Sequence, residues 1–115
     1  MIDLARELQT VMRTGKVIIG FKKTLNACRF GKAKLVIVAL NAPSHIKEDI
    51  MYYAKLSGIP VYVYPGSSWD LGALCRKPFM VSSLAIIDPG ESNIMALVEK
   101  PESKEEEEEE EEEVS

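Results

Sequence analysis

Five consecutive residues, Gly20-Phe21-Lys22-Lys23-Thr24, bring a glycine, two lysines and a hydroxyl into one short segment. A glycine in a turn lets the backbone approach a ligand closely. If a helix follows, its first N–H groups and the positive end of its dipole make an anion site. Lys22 and Lys23 add charge, and the Thr24 hydroxyl adds a hydrogen bond, so a phosphate is the ligand this set suits. The spacing is neither that of a Walker loop nor that of a dinucleotide fingerprint. A turn glycine flanked by solvated lysines fits the same residues, and both readings stand at this level.

Three other places bear on the same chemistry. Asn41 carries donors and acceptors on one amide and could read a base edge and a phosphate together, or simply form the turn before Ala42-Pro43. Lys77-Pro78-Phe79-Met80-Val81 sets an apolar loop beside basic residues, which suits stacking on or shielding unpaired bases. The alternative is that Phe79 and Met80 plug the core. Trp69 reads as a packing residue or a surface anchor.

Little supports catalysis. His45 is the one histidine, and Cys28 and Cys75 stand far apart in helix-like segments, as buried reduced thiols do. No zinc set and no Cys–His or Ser–His–Asp constellation can be assembled. Glu48 and Asp49 are consecutive, so on a helix they diverge and cannot form a dyad; they read as helix N-terminal charges. The expectation is a protein that is not an enzyme and needs no cofactor or metal.

The net charge of −4 hides an uneven distribution. Residues 101–115 carry −9, so residues 1–100 carry +5. Between Glu7 and Glu48 there is no acid, while Arg13, Lys16, Lys22, Lys23, Arg29, Lys32, Lys34 and Lys47 all fall there. That is the electrostatic footprint of a nucleic-acid or polyanion binder, or else a solvated basic face. Residues 101–115, mostly glutamate, read as a disordered acidic tail on a single domain of residues 1–100. The longest apolar runs are too short to cross a bilayer, and the N-terminus lacks a secretory pattern. Both point to the cytoplasm, with no membrane partner.

The elements that would position these residues alternate. Leu4, Leu8, Val11 and Met12 follow a helical period closed by Thr14-Gly15 as a C-cap. A strand over 16–20 and a helix over 21–30 come next, then an aliphatic run, Ala33 to Leu40, that reads as a central strand. Ser44 is a candidate N-cap for a helix ending at Gly58, and a strand spans 59–64. Ser67 or Ser68 caps a short helix to about Cys75, followed by a strand over 81–87 and a last helix, Ser92 to Leu97. Such alternation predicts a sheet between helical layers with mostly parallel pairing. The turns Gly20–Thr24, Asn41–Lys47 and Pro65–Asp70 should then share one sheet edge.

Taken in order, Thr14-Gly15-Lys16, Gly20 to Leu25, Gly31 to Ala39, Asn41, Glu48 to Ala54, Gly58 to Tyr62, Asp70-Leu71-Gly72 and Asp88 to Ser92 resemble the L30e large-subunit ribosomal proteins, in an archaeal form. The similarity spans about residues 3–98 and belongs to a kink-turn-binding superfamily. It implies an α/β fold, a three-layer α/β/α sandwich around a four-stranded mixed sheet, and binding to a sharply bent loop of large-subunit ribosomal RNA. By matched position, Gly20, Lys22, Lys23 and Thr24 would meet the bent backbone and its unpaired purines. Asn41 would contact a base or phosphate, Lys47 would join the RNA-facing set, and Phe79, Met80 and Val81 would cover an extruded nucleotide. The partners implied are ribosomal RNA and neighbouring ribosomal proteins, with the free protein a monomer. The chain departs from the sister L7Ae-type branch, which has an Asn-Glu pair where Lys22-Lys23 stands. A free-standing kink-turn adaptor of small ribonucleoproteins is the second reading. A nucleotide-phosphate enzyme using the Gly20–Thr24 turn is the third, with the right fold class but no general base.

Overall fold

The computed structural model describes residues 4–97; the acidic tail predicted for residues 101–115 lies outside them. The order is α1 (Leu4–Thr14), β1 (Lys16–Ile19), α2 (Phe21–Arg29), β2 (Leu35–Ala39), α3 (Ser44–Ser57), β3 (Val61–Tyr64), α4 (Ser68–Leu74), β4 (Ser83–Asp88) and a 3-10 turn, Ile94–Leu97. Side chains alternate across a strand, and β2 shows the consequence. Leu35, Ile37 and Ala39 pack under α1 and α4 with Leu8, Val11, Leu71, Leu84 and Ile86. Val36 and Val38 face α2 and α3 with Ala27, Cys28, Ile50, Ala54 and Ala85. The result is the expected three-layer sandwich, with both faces of β2 buried. Full burial of one such Leu or Ile contributes about 1.5–3 kcal/mol, which makes these two clusters the main stabilising term.

Pairing departs from the alternation argument. The strand order is β1-β4-β2-β3; β2 and β3 are parallel, but β4 runs antiparallel to both β1 and β2. Mostly parallel pairing was therefore the wrong expectation, and the mixed sheet is the correct one. The physical reason lies in β4: Ser83 to Ile86 are all buried, so the last strand takes an interior place while the half-exposed β1 and β3 become edges. Because β4 opposes both neighbours, β1, β2 and β3 still run the same way. Their C-terminal ends and the start of β4 meet at one edge.

Several local expectations also change. Ser44 is the first residue of α3 and not its cap; Pro43 holds the cap position, and no side chain caps that helix. Glu48 and Asp49 consequently lie beyond the first turn, where the dipole's influence has faded. Gly15 does not close α1 in a left-handed cap. It is glycine because an added Cβ would lie 2.1 Å from the Asp88 carbonyl oxygen, where the β4 exit crosses the end of α1. The final helix shortens to the 3-10 turn. No helix among the described residues is long and apolar enough to cross a membrane.

Candidate nucleic-acid interface

The shared edge is assembled by hydrogen bonds between segments distant in sequence. At the end of β1, Gly20 sits at φ 114°, ψ 152°, a region essentially reserved for glycine. Its N–H donates to the Ser83 carbonyl (3.1 Å), and its carbonyl accepts from the Thr24 N–H (2.9 Å) to start α2. No side chain caps α2 and no acid occupies its first turn, so the helix start keeps its positive character. Lys22 and Lys23 in that turn are exposed. The Thr24 hydroxyl differs from its expected role. It is fully buried, with no hydrogen-bond partner, as is the Ser83 hydroxyl. Thr24 is therefore a packing residue facing the sheet, and its Oγ1 is not presented to a ligand.

At the end of β2, the Leu40 N–H reaches the carbonyls of Tyr64 (3.0 Å) and Gly66 (3.2 Å), tying β2 to the β3 exit. Asn41 is exposed, yet its Oδ1 accepts from the backbone N–H of Ser68 (2.8 Å) and from the Ser68 hydroxyl (2.9 Å). A backbone N–H can only donate, so the amide orientation is decided: the oxygen is held and the Nδ2 donors are left for a ligand. Lys47 donates from Nζ to the Leu40 carbonyl (2.9 Å), which ties the start of α3 to the same turn.

Ser68 is the residue that sequence reasoning undervalued. Ser67 makes the capping box with Asp70, so the helix needs no cap from Ser68. Ser68 is buried instead. Its hydroxyl lies 3.2 Å from that of Ser82, and its carbonyl accepts from the Val81 N–H (3.0 Å). One serine thus joins Asn41, the start of α4 and the entry to β4. The adjacent-serine pair was the available signal, though nothing local separates cap from hub. On the shoulder of the edge, burial and the nearby Asp70 carboxylate push the Tyr64 hydroxyl pKa up.

The 77–81 loop divides cleanly. Phe79 and Met80 are half exposed, at 50% and 52%, so they do not plug the core. Val81 is 1% exposed and belongs to the cluster under α1 and α4, which leaves its side chain no part in covering a base. Gly72 of α4 holds the loop: a Cβ there would lie 2.1 Å from the Phe79 carbonyl oxygen. Trp69, one residue after Ser68, is a surface residue and not a packing one, and Leu40 precedes Asn41; both are exposed apolar side chains beside the polar centre. A basic helix start at Lys22 and Lys23, the oriented amide of Asn41 and the exposed Phe79-Met80 pair lie at one sheet edge.

A family model described as "Ribosomal protein L7Ae/L30e/S12e/Gadd45 family" matches residues 3–96. The chain belongs to that family. Among its relatives, the large ribosomal subunit protein eL30 of Pyrobaculum neutrophilum is 52% identical over 99 residues, spanning 86% of this chain and 98% of that one. The eL30 proteins of Saccharolobus solfataricus and Methanocaldococcus jannaschii are 51% and 49% identical, covering 92% and 94% of their lengths. A solved structure of a protein of unknown function from Bacillus halodurans C superposes with a TM-score of 0.72 at 23% identity, over 84% of this chain and 96% of that one. At that identity it attests the fold alone. Family membership together with the near-full-length similarity to eL30 proteins supports a general RNA-binding ribosomal role, without catalysis. The resemblance to the L30e branch, archaeal in form, is thereby upheld.

Proposed function

We propose that this protein is a structural component of the large ribosomal subunit that binds a kink-turn-like bent internal loop of ribosomal RNA. The observation that carries the reading is the meeting at one edge of an uncapped basic helix start, an amide with its oxygen already engaged, and an exposed Phe79-Met80 pair. Each suits one part of a bent loop. Lys22 and Lys23 with the α2 N–H groups suit the close-packed phosphates of a bend. The Nδ2 donors of Asn41 suit a base edge or phosphate oxygen. Phe79 and Met80 suit an extruded nucleotide, which a fully paired duplex does not offer. Its relatives' names place those proteins in the large subunit, which favours ribosomal RNA over the small guide RNAs of a free-standing adaptor. The protein would act in the cytoplasm on the ribosome beside other ribosomal proteins, and be monomeric when free.

A gel-shift titration of the full chain against a kink-turn RNA and a fully paired control tests the proposal. With four or five phosphate contacts, affinity should fall roughly 50–500-fold between about 50 and 200 mM salt. Lys22→Ala should weaken binding by about 1–3 kcal/mol, as for a charge-assisted contact. Phe79→Ala should lose about 1–3 kcal/mol, as for one stacked base. Equal, salt-sensitive binding to both RNAs would leave a basic protein without bend recognition.

A further inference from the structure

A second cationic site lies outside that edge. Gln9, Met12 and Arg13 of α1 and Cys75, Arg76 and Lys77 after α4 line an open groove of about 440 Å³. Arg13, Arg76 and Lys77 are exposed, and no acidic residue lines the groove. Three cations with no carboxylate among them give this groove a positive lining that is complementary to an anion. The end of α4 fixes how two of these cations are presented. Arg76 has φ 60° and is the one non-glycine residue with positive φ among the described residues; the other left-handed positions, Gly31, Gly58 and Gly90, are glycine. Left-handed Arg76 closes α4: its N–H donates to the Ala73 carbonyl (2.9 Å) and the Lys77 N–H to the Gly72 carbonyl (3.0 Å), which fixes the backbone that carries both cations at the rim of the groove. Its guanidinium is also aimed: Nη2 donates to the Gln9 Oε1 at 3.1 Å, which steadies the fork and leaves its other N–H groups for a ligand.

We infer that the Arg13–Arg76–Lys77 groove is a second RNA site that takes the phosphate backbone of a double-helical segment. The chemistry fits because guanidinium forks pair bidentately with phosphates, and duplex RNA is gripped through its backbone. The placement fits because α4 begins beside Asn41 and its seven residues carry the chain roughly 10 Å down the sandwich to Arg76. Lys77 then opens the loop that returns to Phe79 at the edge. An RNA seated on the edge has its flanking stems within reach of this face. The inference rests on the proposed bent-loop reading for its geometry.

The full chain and its Arg13→Gln/Arg76→Gly double variant would be titrated against a kink-turn RNA with short stems and against versions with either stem extended. Glycine is the residue best suited to the Arg76 backbone, so the variant keeps the fold, which circular dichroism would verify. Two phosphate contacts should steepen the salt dependence on one extended RNA by about 1.8 in log–log slope, roughly tenfold in affinity between about 50 and 200 mM salt. The variant should lose that increment and bind the short-stem RNA as the wild type does. If neither stem adds to the slope, a separate duplex offered to the short-stem complex identifies the other source of backbone phosphates; it should bind the wild type and not the variant. Failure of both arms overturns the inference. Tighter binding of every RNA by the variant also overturns it, and would assign the groove to an acidic peptide such as residues 105–113. Loss of bend preference by the wild type on short-stem RNA refutes the edge reading, a result read independently of the variant.

Discussion

Gly72→Ala probes how the apolar cover is held in place, because its two effects on stability oppose each other. Within α4, replacing glycine by alanine should add about 1 kcal/mol of helix stability. The new Cβ, however, would stand 2.1 Å from the Phe79 carbonyl oxygen and 3.5 Å from the Val81 nitrogen. Ordinary contact requires the loop to retreat by roughly 1 Å, and forced overpacking of that kind costs about 1–3 kcal/mol. Retreat also threatens the 3.0 Å bond from the Val81 N–H to the Ser68 carbonyl, worth about 1 kcal/mol net. The clash wins, with an expected net loss of about 1–3 kcal/mol in urea unfolding at unchanged m-value. Phe79 rides on the displaced backbone, so kink-turn affinity should fall by at least about fivefold and by no more than Phe79→Ala loses. The binding assay belongs under conditions where the variant is fully folded. A variant more stable than wild type, with unaltered RNA affinity, would refute the claim that α4 anchors the loop through this contact.

Asn41 separates a structural from a recognition role. Asn41→Asp keeps an acceptor for Ser68 but replaces the Nδ2 donors with negative charge, so stability should hold within about 1 kcal/mol while RNA affinity drops at least tenfold. Asn41→Ala leaves the Ser68 N–H without its acceptor and should cost about 1–3 kcal/mol in thermal or urea unfolding. Thr24→Val removes a buried, unpartnered hydroxyl and should leave stability equal or up to about 1 kcal/mol higher, with RNA binding unaltered; weakened binding by a stable variant would return the hydroxyl to the site. Burial raises the Cys75 thiol from 9.0 to about 11, outweighing the opposing pull of Lys77. The unfolded chain loses this proton first, so the contribution is intact below about pH 9 and declines as pH rises toward 11. Unfolding midpoints across that window check it, and a flat profile in wild type matched by Cys75→Ala would contradict it.

Much of the site was legible because its signals are local. A glycine at a strand end followed by two lysines and a helix requires no knowledge of the rest of the chain, and Gly20, Lys22 and Lys23 stand where that pattern puts them. The same holds for Asn41 at the end of an all-aliphatic strand. The periods of 3.6 and 2 located α1 to α4 and β1 to β4, with modest trimming of the ends. Contacts between segments far apart in sequence were beyond such reading. Alternation of helix and strand cannot say that β4 inserts between β1 and β2, since that choice follows from comparing the burial of all four strands at once.

Orientation within a segment was equally hidden. Lys77 to Val81 reads as one apolar stretch, but the Gly72 contact and the Ser68 bond turn Val81 inward and leave Phe79 and Met80 outside. Thr24 looks like a ligand hydroxyl in the sequence and is a core residue in the fold, because the sheet-facing side of α2 is set by its packing on β4. Arg76 gives no local sign of its left-handed backbone or of its meeting with Gln9, 67 residues earlier. The chain's own order of residue types therefore determined its elements, its charge asymmetry and the chemistry available at each turn. Tertiary structure alone decided that β4 enters the sheet between β1 and β2, which side chains remain outside and where a second set of cations gathers, because those outcomes depend on burial and close approach between segments that local periodicity does not connect.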